Sequence, residues 1–304
     1  KHISLKVSKN TMNINLVGAG YWGSKVAAAI EKLGHQSNII DIKNGQSIND
    51  IQNKDPVILA TPLWEHYNDA KELLLSGHDV YVEKPMCEDF YQTHNLSNFK
   101  QKDQILMAGH IFLYHPHCQQ LKKIIKQGKL GNIKTIKTER LNWGIRQTRT
   151  TPALSLAPHD VSILHYLMNG QLEVDYYKYT NLSNNVVPDS LYFNGHINGV
   201  FCETTVSWYS PVRRRLVTVI GDKGCAVWDT DTETLKVTNQ CVGKDNRIIK
   251  AFDTETFEYT AKETPLELEI KHFVECCEKR LTPISDVNNA MEVAKVIDHF
   301  QTVV

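Results

Sequence analysis

The chain has 304 residues, and its 34 lysines and arginines balance its 34 aspartates and glutamates, so its formal net charge is zero. This length favours about two domains with sizeable cores, and 22% charged with 41% hydrophobic residues is typical of a folded protein. The even charge argues against a nucleic-acid binder, which needs a basic surface to neutralise phosphates.

Three further features of the composition concern location. No apolar run is long enough to span a bilayer, which argues against a membrane protein. Seven scattered cysteines with no Cys-x-x-Cys pair favour reduced thiols and a cytoplasmic location. The polar start, residues 1–11, has no secretory signal, and Met12 directly precedes the first strand-like segment. We therefore expect residues 1–11 to be a leader or a non-native remnant.

Short apolar strands alternate with helical patterns over residues 12–116, which indicates βαβ units and a doubly wound parallel sheet of the Rossmann type. The predicted strands are Asn13–Val17, Ser37–Ile42, Val57–Ala60, Val80–Val82 and Ile105–Ala108. The predicted helices between them are Trp22–Leu33, Glu65–Ser76 and Asp89–Lys102.

From residue 117 to 304 the pattern changes, and it predicts an α+β domain with an open, mostly antiparallel sheet. The predicted strands are Ile133–Asn142, Val174–Thr180, Ser190–His196, Val200–Trp208, Arg214–Ile220 and Cys225–Asp229. The predicted helices are His117–Gln127, Pro158–Met168, Leu266–Arg280 and Val287–Phe300.

A G-x-G-x-x-G motif follows the first strand and opens the first helix. Its glycines are Gly18, Gly20 and Gly23, and Tyr21 and Trp22 lie inside it. In this context the first glycine allows a tight turn, the second lets the backbone approach a pyrophosphate, and the third packs helix on strand. An ordinary βα turn is the alternative. We assign all five residues to cofactor binding.

An acidic residue, Asp41, lies 23 positions after Gly18, at the end of the second strand. A carboxylate at this distance binds the ribose hydroxyls of NAD and repels the 2′-phosphate of NADP. Lys43 nearby could instead receive NADP. We expect NAD as the cofactor, with NADP as the less favoured alternative.

Two further segments end parallel strands, at the edge where open α/β sheets bind ligands. The first contains Thr61, Pro62 and His66, and the second is the triplet Glu83-Lys84-Pro85. Together with the glycine motif, this triplet resembles the Gfo/Idh/MocA oxidoreductases, NAD(P)-dependent enzymes that act mostly on sugars, cyclitols and sugar nucleotides.

The resemblance extends over residues 12–300, and three segments resemble the branch that oxidises UDP-N-acetylglucosamine-type sugars at C3. They are His110–Pro116, Gly128–Gly131 and Ala157–Asp160. The resemblance implies that Thr61, Pro62, His66, Glu83 and Lys84 contact the cofactor, and that the protein forms a homodimer or homotetramer.

The resemblance also implies two catalytic residues, Lys84 and His159. Oxidation of a secondary alcohol needs a group that takes the hydroxyl proton and a donor that stabilises the oxygen. Lys84 would supply the donor, and His159 would transfer the proton, because its ordinary pKa of about 6.5 suits transfer near neutrality. As isolated residues, a lysine is usually solvated and a histidine usually structural.

One position departs from the family pattern, which has an aspartate four residues before the catalytic histidine. Here that residue is Ser155, and Asp160 could partly compensate for the missing charge. We assign Ser155 and Asp160, with Lys84 and His159, to substrate binding. Either the substrate differs from that of the branch or the activity is reduced.

Further candidates line the presumed cleft. Asn142 and Arg146 are assigned to the substrate, whereas Trp143 could equally well pack in the core. Arg149 and Arg213–Arg215 could hold a diphosphate or carboxylate, although solvated charges are an equal alternative. We expect no metal site, because no carboxylate or cysteine completes a tetrahedral set with His110, His115 and His117.

The residues and the resemblance together predict an NAD-dependent oxidoreductase of a sugar, with a nucleotide-linked pyranose oxidised at C3 as the expected substrate. Two alternatives stay open. One is a reductase of another carbonyl or of a bilin-type substrate. The other is a non-catalytic dinucleotide-binding regulator or scaffold, which the departure at Ser155 motivates.

Overall fold

The computed structural model describes residues 11–144, 150–182, 187–243, 245, 247–250 and 253–301. No helix within these ranges is long and apolar enough to cross a membrane.

The first part of the chain forms a five-stranded parallel sheet, as predicted. Its strands are β1 Asn13–Val17, β2 Gln36–Ile40, β3 Val57–Leu59, β4 Val80–Glu83 and β5 Leu106–Gly109. They are connected by helices α1 Tyr21–Lys32, α2 Leu63–Leu75 and α3 Phe90–Phe99. The order across the sheet is β2-β1-β3-β4-β5, with every neighbouring pair parallel. The order reverses between β1 and β3, which opens a crevice at the carboxyl ends of these strands.

The second part is built on an eight-stranded sheet. Its strands are β6 Ile133–Trp143, β7 Glu173–Thr180, β8 Ser190–Ile197, β9 Val200–Ser207, β10 Tyr209–Gly221, β11 Cys225–Asp229, β12 Thr234–Thr238 and β15 Thr254–Glu258. A separate two-stranded hairpin is formed by β13 Cys241–Val242 and β14 Ile248–Ile249. The order is β15-β12-β11-β10-β6-β9-β8-β7, and all neighbours are antiparallel except β6 and β9. This confirms the predicted fold class.

One face of the eight-stranded sheet is covered by helices. These are α4 Pro116–Lys126, α5 Pro152–Ser155 and α6 Ala157–Met168. Side chains alternate along β6, so Ile136, Thr138 and Arg140 are buried beneath the helices while their neighbours face outward. An arginine at a buried position of a strand needs an acidic or hydrogen-bonding partner.

The last two helices, α7 Pro265–Lys279 and α8 Val287–Gln301, connect the second part back to the first. Arg280, just after α7, donates to both carboxylate oxygens of Asp79, at 2.8 and 2.7 Å. Asp298 on α8 accepts a hydrogen bond from the Phe90 backbone N–H at 2.8 Å. The C-terminal helices therefore help to hold the Rossmann-like sheet in place, across the predicted boundary at residue 116.

The elements differ from the prediction mainly after residue 208. Strand β10 begins at Tyr209 rather than Arg214, with a register shift between these residues that interrupts the alternation. Strands β12 to β15 were not predicted, because β13 and β14 have only two residues each, β12 has only two apolar residues and β15 has one. Helix α5 was also missed, since its four residues are too few to show a helical period.

Candidate active site

The glycine motif forms the turn between β1 and α1. The backbone N–H of Gly18 donates to Ile40 O at 2.9 Å, and its φ of +95° strains any side chain there. A Cβ at Gly18 would lie 2.7 Å from Ala60 O, and one at Gly23 only 2.0 Å from Gly18 O. These two glycines are thus required by the packing of the turn itself.

Gly20 has a different role, because an added Cβ would meet nothing within 4 Å. It is the N-cap of α1 and provides no side-chain cap to the first backbone N–H groups of the helix. Uncapped N–H groups at the positive end of a helix dipole bind phosphate. The turn therefore fits the pyrophosphate of a dinucleotide, with the exposed Tyr21 beside it.

Asp41 follows β2 directly and is held by two backbone hydrogen bonds. Its carboxylate accepts from Lys43 N at 2.9 Å and from Ala19 N at 3.0 Å. These bonds lower the pKa of Asp41, so the group is ionised at neutral pH. A fixed carboxylate beside the glycine turn fits the ribose hydroxyls of a dinucleotide.

The Glu83 carboxylate connects the glycine motif to the Glu-Lys-Pro triplet. Its Oε1 accepts hydrogen bonds from Trp22 Nε1 at 2.5 Å and from the Tyr81 hydroxyl at 3.0 Å, and its Oε2 accepts one from Lys84 N at 3.2 Å. Burial raises the pKa of Glu83, while these donors and the charge of Lys84 oppose the rise. Trp22 and Glu83, both predicted to contact the cofactor, are bound to each other and position Lys84.

His66, on α2, bridges the two other segments at this edge. Its ring nitrogens lie 2.9 Å from Pro85 O and 2.9 Å from Thr61 O. Burial lowers the pKa of His66, and the neutral ring can donate to only one of these carbonyls. With both nitrogens next to backbone carbonyls, His66 holds these two segments together. Pro62 is exposed as the N-cap of α2.

Lys84 reaches from the first sheet to the second part of the chain. Its Nζ donates to the backbone carbonyl of Ser155 at 2.9 Å. Burial lowers the pKa of Lys84 to about 8, with Arg140 adding to the fall and Glu83 opposing it. The ammonium is thus protonated at neutral pH but close to the point at which it gives up a proton.

His159 lies in the same place, near the start of α6. Its ring packs edge-on against Phe112 at 5.0 Å between centroids, and its Nδ1 is buried with no hydrogen-bond partner among the described residues. Burial first, and then the charges of Lys84 and Arg140, lower the pKa of His159 well below 6.5. The ring is therefore neutral at pH 7 and can accept a proton.

The structure gives Asp160 a partner within the chain. This residue is only 1% exposed, and its oxygens accept from Arg140 Nε at 2.7 Å and Nη2 at 3.3 Å. Asp160 thus compensates the charge of the buried Arg140. The Ser155 hydroxyl is buried and unbonded within the described ranges, whereas its carbonyl holds Lys84.

The remaining predicted substrate residues lie at the end of β6. Asn142 is half-buried there, and Trp143 is 70% exposed beside Tyr209, so Trp143 is not a core residue. Arg146 and Arg149 lie outside the described residues. Arg213 and Arg214 are paired with Asp231 and Glu139, at 2.8 and 3.2 Å.

Sequence reasoning missed Arg140, Phe112 and the buried Glu269. Arg140 stacks its guanidinium on the Phe112 ring at 4.4 Å, which orients both beside His159. The sequence did contain a signal for Arg140, because this residue continues the series of alternate positions in β6 that Ile136 and Thr138 occupy. Glu269 has no such signal, since its proximity to Glu83 arises only from tertiary packing.

The three histidines considered as metal ligands have different surroundings. His110 lies near Lys84, and burial lowers its pKa to about 3. His115 and His117 pack around Tyr259, and His115 also contacts Trp228. Over the described ranges, no group of three metal-ligating side chains is found.

The fold and this arrangement define a Rossmann-type α/β protein in which a lysine and a histidine lie near each other. Residues 118–227 match the model of the Gfo/Idh/MocA C-terminal domain. An uncharacterized oxidoreductase of Synechocystis is 31% identical over 124 residues, which are 36% of this chain and 33% of that protein. The 2,7-anhydro-N-acetylneuraminate hydratase of Escherichia coli is 24% identical over 45% of this chain and 42% of its own length. The chain thus spans less than half of these two curated relatives.

Solved structures are similar over nearly the whole chain. UDP-N-acetylglucosamine 3-dehydrogenase from Acidithiobacillus ferrooxidans superposes with a TM-score of 0.80 at 18% identity, covering 97% of this chain and 98% of that one. Levoglucosan dehydrogenase, in complex with NADH and levoglucosan, has a TM-score of 0.81 at 15% identity, covering 95% of each. At this identity the likeness shows the fold. Together with the domain match, it supports the resemblance to the Gfo/Idh/MocA oxidoreductases.

Proposed function

We propose that the protein is an NAD-dependent oxidoreductase that transfers hydride between the nicotinamide and a secondary alcohol or ketone of a sugar. The observation that carries the proposal is the convergence of Lys84 and His159 at the sheet edge that also holds the glycine turn. The names of the relatives and structural neighbours support a dehydrogenase or reductase. The bound NADH of one neighbour supports a nicotinamide cofactor.

The nicotinamide supplies the hydride acceptor or donor when it is bound. The protonated Lys84, held by Ser155 O, donates a hydrogen bond to the reacting oxygen and stabilises its negative charge. The neutral His159 takes the hydroxyl proton during oxidation and returns it during reduction. Phe112 packs edge-on against this ring, and Arg140 stacks on the Phe112 ring.

For the substrate, we propose a pyranose, nucleotide-linked and oxidised at C3. The structural similarity to the UDP-N-acetylglucosamine 3-dehydrogenase supports this choice. A hydration reaction on an acidic anhydrosugar is a second candidate, favoured by the sequence similarity to the hydratase. We further propose a cytoplasmic homodimer or homotetramer, with the cofactor bound by residues 12–116 and the substrate by residues 117–304.

The proposal is tested by mixing the protein with NAD or NADP and a panel of sugars and UDP-sugars, and following the absorbance of reduced cofactor. We expect turnover with NAD, and a loss of at least about a hundredfold in kcat for Lys84→Ala and for His159→Asn. Lys178→Ala, on the distant strand β7, is the matched control. Cofactor binding without turnover on any sugar would instead favour the non-catalytic regulator, and parental activity in Lys84→Ala would refute the mechanism.

A further inference from the structure

Two arginines stand side by side on the inner face of the eight-stranded sheet. Arg140 on β6 pairs in register with Arg215 on β10, and Val217, two residues further along β10, is buried on the same face. Arg215 lies close enough to His159 that its positive charge contributes to lowering the pKa of that histidine. Both arginines therefore border the candidate active site.

Of these two arginines, only Arg140 has a hydrogen-bonded carboxylate within the described residues. It forms a bidentate pair with Asp160 that uses both oxygens of that carboxylate. The Nε of Arg215 is buried and has no hydrogen-bond partner within the part of the chain that the structure describes. Burial first, and then the charges of Arg140 and Arg213, lower the pKa of Arg215, while the charges of Asp231 and Asp160 oppose the fall.

The two carboxylates whose charges favour the Arg215 cation are each hydrogen-bonded to another arginine. Asp231 accepts from Arg213 at 2.8 Å, and Asp160 accepts from Arg140 at 2.7 Å. Arg214 faces the opposite side of the sheet, paired with Glu139 at 3.2 Å. Arg215 is half-buried, and a partly buried charge without a hydrogen-bonded partner is costly.

We propose that Arg215 binds an anionic oxygen group of the substrate, a carboxylate or a phosphate, while Lys84 and His159 act on its hydroxyl. This inference rests on the proposed function and narrows its substrate to an acidic sugar or a sugar nucleotide. A guanidinium suits the task because its planar fork of N–H donors matches two oxygens of such a group. Bound anion would supply the charge that Arg215 lacks.

The test uses two matched pairs of substrates, each differing by an anionic group. Glucose and glucuronate differ by a carboxylate, and N-acetylglucosamine and UDP-N-acetylglucosamine by a nucleoside diphosphate. In at least one pair we expect kcat/KM to be about ten- to a hundredfold higher for the anionic member, the usual effect of a charged hydrogen bond. The pair that shows the preference identifies the source of the anion.

Variants then assign the preference to a residue. Arg215→Gln should reduce the ratio of kcat/KM for the anionic and the neutral substrate to within about threefold of one. Arg215→Lys should restore part of this ratio. Arg214→Gln, on the opposite face of the same strand, should leave it unchanged. An unaltered preference in Arg215→Gln, or faster turnover of the neutral member in both pairs, would overturn the inference.

Binding and folding are measured separately, so that this inference and the proposed function can fail independently. With NAD present, glucuronate or UDP-N-acetylglucosamine should raise the Tm of the parent but not of Arg215→Gln. A shift that depends on Arg215 without any turnover would retain the anion site and refute the oxidoreductase. Removal of an unpaired charge should leave the Tm without ligand equal or higher, whereas a lower Tm would indicate a structural ion pair and contradict the inference.

Discussion

Two glutamates on α7, separated by one residue, lie in opposite electrostatic environments. Glu267 accepts a hydrogen bond from Lys32 Nζ at 2.7 Å and caps the helix through Thr264 N at 3.0 Å. Burial acts to raise its pKa, but these donors outweigh burial and lower it. Glu269 is completely buried near Tyr81 and Glu83, and burial together with the charge of Glu83 raises its pKa well above 4.5. The surroundings of the two glutamates therefore shift their pKa values in opposite directions.

The two glutamates should affect the pH dependence of stability with opposite signs. The unfolded chain releases the Glu269 proton near pH 4.5 whereas the folded chain keeps it, so stability falls as the pH rises above this value. Glu269→Gln mimics the protonated carboxyl and removes this loss. We expect the variant to match the parent near pH 5 and to have the higher Tm at pH 8, by several degrees.

Glu267→Gln is the matched control for this measurement. The lowered pKa of Glu267 means that its contribution is present above its unfolded pKa and is lost as the pH falls. The control should therefore lower the Tm at pH 7 and lose its effect in acid. A Glu269→Gln variant that is less stable than the parent at pH 8 would show that Glu269 is ionised in the folded protein.

At this scale, sequence could identify residues that belong to motifs but not their partners. Lys84 and His159 were predictable because each lies in a recognisable segment. The contact of Lys84 with a backbone carbonyl was not predictable, because every residue has such a group. The partner of Asp160 was not predictable either, since Arg140 lies 20 positions away on a different element.

The β1–α1 turn shows that glycines of one motif can be separated by experiment. Gly23 is fixed by packing, since a Cβ there would lie 2.0 Å from Gly18 O, whereas the space at Gly20 is open. We expect Gly23→Ala to lower the Tm markedly or to prevent folding. Gly20→Ala should keep the parental Tm, because its φ of −68° is accessible to alanine.

The same two variants separate folding from cofactor binding. In Gly20→Ala the added methyl would occupy the approach to the uncapped N–H groups of α1, so the Kd for NAD should rise by about tenfold or more. Titration of the intrinsic tryptophan fluorescence measures this, with Trp22 next to the turn. Unchanged NAD affinity in a folded Gly20→Ala protein would contradict the placement of the pyrophosphate.

Elements bounded by clear turn signals were predictable, and short elements that depend on pairing with another strand were not. Strands β1, β3 and β4 begin at the predicted residues, because short and largely apolar segments are bounded by turn signals there. Strand β12 alternates apolar and polar residues over only five positions, and it pairs with the edge of β11. Strand β15 contains a single apolar residue, Phe257, and pairs in turn with β12. Tertiary pairing therefore determines elements that the local sequence leaves undecided.

For the whole molecule, the uncovered face of the eight-stranded sheet bears on the proposed assembly. Ile220 on β10 and Val227 on β11 are 45% and 36% exposed there. Four charged residues on the same face are paired within the chain, Lys137 with Glu203 and Arg214 with Glu139, each at 3.2 Å, whereas Lys236 stands directly across from Val227 on β12. A broad face with exposed apolar side chains and several internally paired charges can pack on its own copy.

We therefore expect a dimer or tetramer in size-exclusion chromatography with light scattering at micromolar concentration. Val227→Lys places a second positive charge beside Lys236 on this face and should shift the protein to a smaller species. Leu75→Lys, at a 59% exposed position on α2, is the control and should leave the assembly intact. Because the β1–α1 turn belongs to the five-stranded sheet, the affinity for NAD should not change in either variant. A monomeric parent, or a Val227→Lys protein of parental size, would place the interface elsewhere or remove it.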